Sequence, residues 1–74
     1  MIGGFVEVLF ENSLRQIGIK EKMTLQDLLE DLEIKETDPY WVACNRRVIL
    51  KTDYSQKVLE PGDRVEIIRI LSGG

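Results

Sequence analysis

Histidine is absent from this 74-residue chain, cysteine occurs once, and proline only twice. Without histidine and with a lone Cys44, the chain cannot assemble a Ser-His-Asp triad, a Cys-His pair, a histidine-based zinc site or a Cys-x-x-Cys redox motif. No Gly-x-Gly-x-x-Gly and no phosphate-binding loop with its lysine is present, so any nucleotide must be held by another protein. No apolar run approaches the ~20 residues of a membrane span, and the first residues lack the charged and hydrophobic segments of a leader. The expectation is a cytoplasmic protein without a membrane partner, and one cysteine, incapable of an internal disulfide, agrees with a reducing compartment. Dense basic runs are also missing. With a net charge of −3 and a pI of 4.9, the chain repels phosphate backbones, so nucleic acid is not an expected partner.

What is present is the composition of a folded domain, with 43% apolar and 31% charged residues. A chain this short buries only about 60 to 65% of the surface its unfolded form exposes. Chemistry is therefore expected at the surface or at an end of a single domain spanning residues 1–74, its tail at 71–74. Phe5 to Phe10 and Leu14 to Ile19 read as a hairpin, with Val6, Val8 and Phe10 on one face of the first strand and Ile17 and Ile19 on one face of the second. Gly18 is a candidate bulge. Leu25, Leu28, Leu29 and Leu32 fall at i, i+3, i+4 and i+7, one stripe of a helix. Thr24 is its expected N-cap, Asp27 completes a capping box, and Met23 is placed to staple against Leu28. Pro39 closes the segment.

Trp41 to Cys44 and Val48 to Leu50 read as an antiparallel pair. Lys51 to Glu60 reads as an irregular connection in which Thr52 is a possible local cap and Tyr54, Val58 and Leu59 pin the chain to the core. Pro61-Gly62-Asp63 is a turn. In the last strand, Arg64 to Leu71, Val65 and Ile67 share one face, and Glu66, Ile68 and Ile70 the other. The order β-β-α-β-β-β predicts an α+β mixed sheet with one helix packed on one face. Of the remaining candidates, Cys44 is expected to be buried, Arg46 and Arg47 to be surface charge at a turn tip, and the acids Glu30, Asp31, Glu33, Glu36 and Asp38 to form a solvated polar face, with a docking surface for a basic partner as the alternative.

The end of the chain carries the strongest chemical signal. Two terminal glycines arise by chance in roughly one sequence in two hundred, and here they follow a strand directly. Lacking Cβ, glycine can thread a narrow channel with its backbone close to a ligand. An α-carboxylate on Gly74, with a reference pKa of about 3.3 to 3.7, is ionised at neutral pH and can attack the α-phosphate of a nucleotide held by a partner. That partner must stabilise the negative charge gathered in the transition state.

Asn45, the Val48-Ile49 pair, Gly62-Asp63-Arg64-Val65-Glu66-Ile67-Ile68 and the terminal Gly73-Gly74 together resemble the ThiS family of thiamine-biosynthesis sulfur carriers, over nearly the whole chain. The resemblance implies a ubiquitin-like β-grasp fold and a co-substrate rather than an enzyme. It implies that a ThiF-like adenylating enzyme activates Gly74, with ATP bound by that enzyme and no cofactor bound by this chain. It further implies a cysteine desulfurase or sulfurtransferase as sulfur source and thiazole synthase (ThiG) as recipient of a thiocarboxylate. Leu50-Lys51 stands where the family often has Pro-Arg.

Ile68 and Ile70, on the face away from the helix, with Leu50 near them and Leu71 and Ser72 leading to the glycines, are the expected partner-binding residues. The N-terminal residues or a second copy could instead cover that face. The residues leave three other readings open: a MoaD-like carrier supplying sulfur to molybdopterin or tRNA, a ubiquitin-like protein modifier, and a binding module with an idle tail.

Overall fold

In the computed structural model, residues 2–35 and 37–70 are described, Ile2 by its backbone only. Strands β1 (Ile2–Phe10), β2 (Ser13–Lys20), β3 (Tyr40–Cys44), β4 (Arg47–Ile49) and β5 (Arg64–Arg69), with helix α1 (Leu25–Asp31) between β2 and β3, form one five-stranded sheet in the order β2-β1-β5-β3-β4. The two central strands, β1 and β5, run parallel, and every other pairing is antiparallel. This is the expected mixed sheet with one helix, the β-grasp arrangement.

The first hairpin closes through Glu11 and Asn12, with φ of 50° and 63°. Such positive angles at both central positions match the right-handed twist of the flanking strands. Val6 faces Ile17 across the hairpin, and Val8 lies beside Val65. Val6, Val8 and Val65 are each at most 1% exposed, so the alternation expected of the first strand places its core face correctly. The bulge falls elsewhere than expected. Gly18 pairs regularly with Phe5, whereas the register shifts in β1 between Ile2 and Phe5. There Gly4 adopts a φ of +124°, and a Cβ at that position would stand 2.7 Å from Pro61 Cβ and Cγ. The leading residues therefore lengthen β1, whose backbone passes close against the Pro61-Gly62 turn.

Helix α1 starts at Leu25 as its capping residues predict. The Asp27 N–H donates to Thr24 Oγ1 at 3.2 Å, and the Thr24 N–H donates to Asp27 Oδ2 at 3.0 Å. Leu25, Leu28 and Leu29 enter the core beside Met23, Ile19, Val42 and Leu59. The helix stops at Asp31, well before Pro39, because Glu33 turns left-handed with φ of 60°. The Glu33 N–H then donates to the Glu30 carbonyl and the Ile34 N–H to the Leu29 carbonyl. This pair of bonds makes a Schellman termination with glutamate where glycine is usual.

Three further boundaries differ from expectation. Leu50 lies just past β4, where a 3-10 turn, Lys51–Asp53, begins without a side-chain cap. Thr52 is thus inside that turn rather than capping it. Val58 is 47% exposed, although its neighbours Tyr54 and Leu59 are buried as expected. Finally, β5 ends at Arg69, and Leu71 lies outside the described residues.

Candidate functional site

Alternation along β5 sends Val65 and Ile67 into the core and Glu66 and Ile68 to the opposite face, which no helix covers. Ile68 is opposite Trp41 on β3. Extending the β3–β4 register, in which Val42 faces Ile49 and Ala43 faces Val48, sets Leu50 beside Trp41. Ile68, Trp41 and Leu50 therefore make one cross-strand row, exposed by 53%, 52% and 65% respectively. Val48 extends this apolar surface next to the row, and Ala43 beneath it is buried. Glu66, half-buried in the middle of the sheet, has the Arg64 Nε 3.9 Å from its carboxylate.

The row ends where the tail departs. The Ile70 N–H donates to the Pro39 carbonyl at 2.8 Å, which fixes the last described residue against the start of β3. Ile70 is itself 41% exposed. The structure thus places three sequence-predicted residues, Leu50, Ile68 and Ile70, on an uncovered apolar face. Leu71, Ser72, Gly73 and Gly74 lie outside the described residues. The N-terminal strand does not cover the patch, since β1 meets β5 only from Arg64 to Ile67.

Trp41 is the residue that sequence reading passed over. Trp41-Val42-Ala43-Cys44 is apolar at every position, so it offers no polar alternation to tell the open face from the core. The pairing of Asn45, which resembled a family motif, has a physical reason. Its Nδ2 donates to Asp63 Oδ1 at 2.9 Å, its Oδ1 accepts from the Arg64 N–H at 3.0 Å, and Asp63 Oδ2 accepts from the Glu60 N–H at 2.9 Å. This bracket clips the β3–β4 turn to the loop entering β5 and so sets the height at which β5 sits in the sheet. Asn45 and Arg46 take positive φ, 52° and 70°, so the two-residue turn forms without glycine.

Cys44 is 2% exposed. Burial pushes its thiol up, Asp63 adds to the rise, and Lys57 opposes it. A thiol held protonated is a poor nucleophile, so the only cysteine is not equipped to carry sulfur itself. Among the described residues no cluster of carboxylate and cysteine side chains could hold a metal ion, and no helix is long and apolar enough to cross a membrane.

Comparison with known proteins agrees with this architecture. The crystal structure of the thiamine biosynthesis protein ThiS from Geobacter metallireducens superposes with a TM-score of 0.74 at 20% identity, covering 95% of this chain and 99% of that one. At that identity the likeness shows the fold. No curated protein matches the sequence significantly. The model of the ThiS family matches residues 8–74, and with that span covering β2 to β5 and the glycine tail, the chain belongs to the ThiS family of small sulfur carriers.

Proposed function

We propose that the carboxylate of Gly74, the last residue of this sequence, is the group that is activated and loaded with sulfur for thiazole formation in thiamine biosynthesis. The carboxylate oxygen attacks the α-phosphate of ATP bound to a ThiF-like adenylating enzyme, and pyrophosphate leaves. The terminal sulfur of a persulfide, formed by a cysteine desulfurase, then attacks the acyl carbon and expels AMP. A second thiol cleaves the resulting S–S bond, leaving a thiocarboxylate on Gly74 and a disulfide on the sulfur-delivering protein. Thiazole synthase accepts the sulfur. The observation that carries this reading is the placement of the exposed Ile68-Trp41-Leu50 row directly beside the point where Ile70 is pinned. An enzyme gripping that row has the tail entering its own active site, and exposed apolar clusters of this kind mark interaction surfaces.

The decisive experiment is an intact mass of the protein isolated from cells making thiamine, after treatment with a thiol alkylator and with Cys44 replaced by serine. The thiocarboxylate form reacts, and its tag maps to Gly74; methionine sulfoxide, close in mass, does not react. A Gly74 carboxylate that never takes the tag, or full activity after deletion of Gly73 and Gly74, refutes the reading. A ladder of conjugates to other proteins would assign the tail to protein modification instead.

A further inference from the structure

On the helix side of the sheet, opposite the patch just described, lies a groove of about 620 Å³ between the end of α1, the loop before β3 and the 3-10 turn. Its floor is apolar: Leu29 and Val42 are buried, and Ile34 is half-buried. Tyr54 also lines it and is only 9% exposed, yet its hydroxyl has no hydrogen-bond partner among the described residues. Every fully buried polar side-chain atom among those residues is paired. What remains exposed of Tyr54 therefore includes its hydroxyl, on a residue that lines the groove.

The wall formed by α1 is acidic. Between Met23 and Ile34 stand Asp27, Glu30, Asp31 and Glu33 and no base, and Glu30 and Glu33 line the groove. Asp27 caps the helix start, but the other three carboxylates work against the fold. Three of the four crowd the helix C-terminus, the negative end of its dipole, where cations are favoured, and Glu33 also occupies the left-handed position where glycine costs least. Across the groove Asp38 adds a third lining carboxylate, its Oδ2 accepting from the Lys35 N–H at 2.8 Å. Lys35 and Lys51 line that side as well, and Lys51 is already engaged in an interaction.

We propose that this groove is a second docking site, which takes a segment of a partner protein presenting an aliphatic side chain flanked by arginines. The aliphatic group covers the Leu29-Ile34-Val42 floor, the guanidinium groups meet Glu30 and Glu33, and the Tyr54 hydroxyl pairs with the segment's backbone or arginine. Charge complementarity selects the occupant, because an acidic or neutral segment gains nothing from the α1 wall. The site is separate from the tail and from the Ile68-Trp41-Leu50 row, so it stands whether or not the sulfur-loading reading does.

The test is an NMR titration of the full 15N-labelled chain with the capped peptide Ser-Arg-Ile-Leu-Arg-Ser, against a control with both arginines replaced by glutamate. Saturable shifts at Leu29, Ile34 and Tyr54 are expected at millimolar peptide, and none with the control. The double variant E30K/E33K should weaken binding at least about tenfold, because it removes two hydrogen bonds between charged groups and sets like charges against the arginines. Because the same reversal places cations at the helix C-terminus, its melting temperature should be no lower than that of the parent, which separates impaired binding from impaired folding. Tyr54→Phe should weaken binding about fivefold. Shifts centred on Trp41 and Ile68, equal response to both peptides, no saturable shift, or dilution-dependent shifts at the groove without peptide, which would mean a second copy fills it, each overturn the proposal.

Discussion

Replacing Trp41 by alanine is the most direct perturbation of the open-face patch. The indole is 52% exposed, so of the ~200 Å² a tryptophan can bury, about 100 Å² is left for a partner to cover. At ~25 cal/mol per Å² this corresponds to about 2.5 kcal/mol, a loss of roughly 70-fold in affinity, in the range expected of an interface anchor. Pyrophosphate release by the adenylating enzyme, measured against carrier concentration, should show KM for the Trp41→Ala carrier raised by that order. On the proposed reading the reacting group is the Gly74 carboxylate, which the substitution leaves untouched, so kcat should fall far less than KM rises. Folding should suffer by about 2 kcal/mol, because the half of the ring that is buried in the domain is lost as well; a urea titration checks that the variant stays folded. A KM within threefold of the parent, in a variant that remains folded, would refute the assignment of this face as the enzyme's grip. A fall in kcat alone would mean that Trp41 acts on the tail rather than on docking.

Three other consequences can be measured on the isolated domain. Gly4→Ala should lower stability by about 2 to 4 kcal/mol in thermal or urea unfolding, because the new Cβ meets Pro61 at 2.7 Å and φ is +124°; a change under about 0.5 kcal/mol would show that the Pro61 turn yields freely. Asn45→Ala removes two hydrogen bonds at the Asp63 bracket and leaves a carboxylate that is 9% exposed short of a donor, at a cost of about 2 kcal/mol; Asn45→Asp, which tolerates the φ of the turn but brings no amide donor to Asp63, should cost at least as much, and a negligible loss from it would point instead to the φ of the turn. Burial raises the pKa of both Cys44 and Tyr54 above their ordinary values. Their neutral forms are favoured in the folded state, so the stability they contribute is complete below the unfolded pKa values, ~8.5 and ~10, and is lost as pH rises through the folded ones. Unfolding free energy should decline from about pH 9 upward, less steeply in a Cys44→Ala, Tyr54→Phe variant, and a flat profile in the parent would contradict the burial of both groups.

Much of this architecture can be read from local patterns because the controlling interactions are local. Thr24 and Asp27 are three residues apart and satisfy each other's backbone, so the start of α1 follows from four consecutive residues. The faces of β1 and β5 follow from alternation within each strand. The end of α1 does not, since nothing in the string Leu32-Glu33-Ile34 announces a left-handed glutamate, and tertiary packing of Ile34 against the core outweighs its backbone preference. Sheet order is equally hidden: the parallel pairing of β1 with β5 joins residues more than fifty positions apart, a contact that no window of sequence contains. Trp41 shows how that bears on function. Its face depends on which side of β3 meets the helix, and that is settled only when β5 slots between β1 and β3.

The two faces of the sheet then divide the work by the same geometry. A strand inserted at the centre carries its odd residues, Val65 and Ile67, into the core and its even residues, Glu66 and Ile68, onto the open face, and its C-terminal end is the edge of that face. A tail continuing from such a strand necessarily leaves beside whatever Ile68 presents. An apolar Ile68-Trp41-Leu50 row at that spot costs solubility in the free protein, and no packing within the described residues relieves it. On the proposed sulfur-carrier reading there is a compensation, because docking through the row would bring the Gly74 carboxylate to a nucleotide held by the partner. A β-grasp domain with idle glycines would have no use for that exposure next to its tail, and replacing Ile68 by aspartate should then improve its solubility without loss of function, whereas in a carrier the same change should abolish activation while leaving the fold intact.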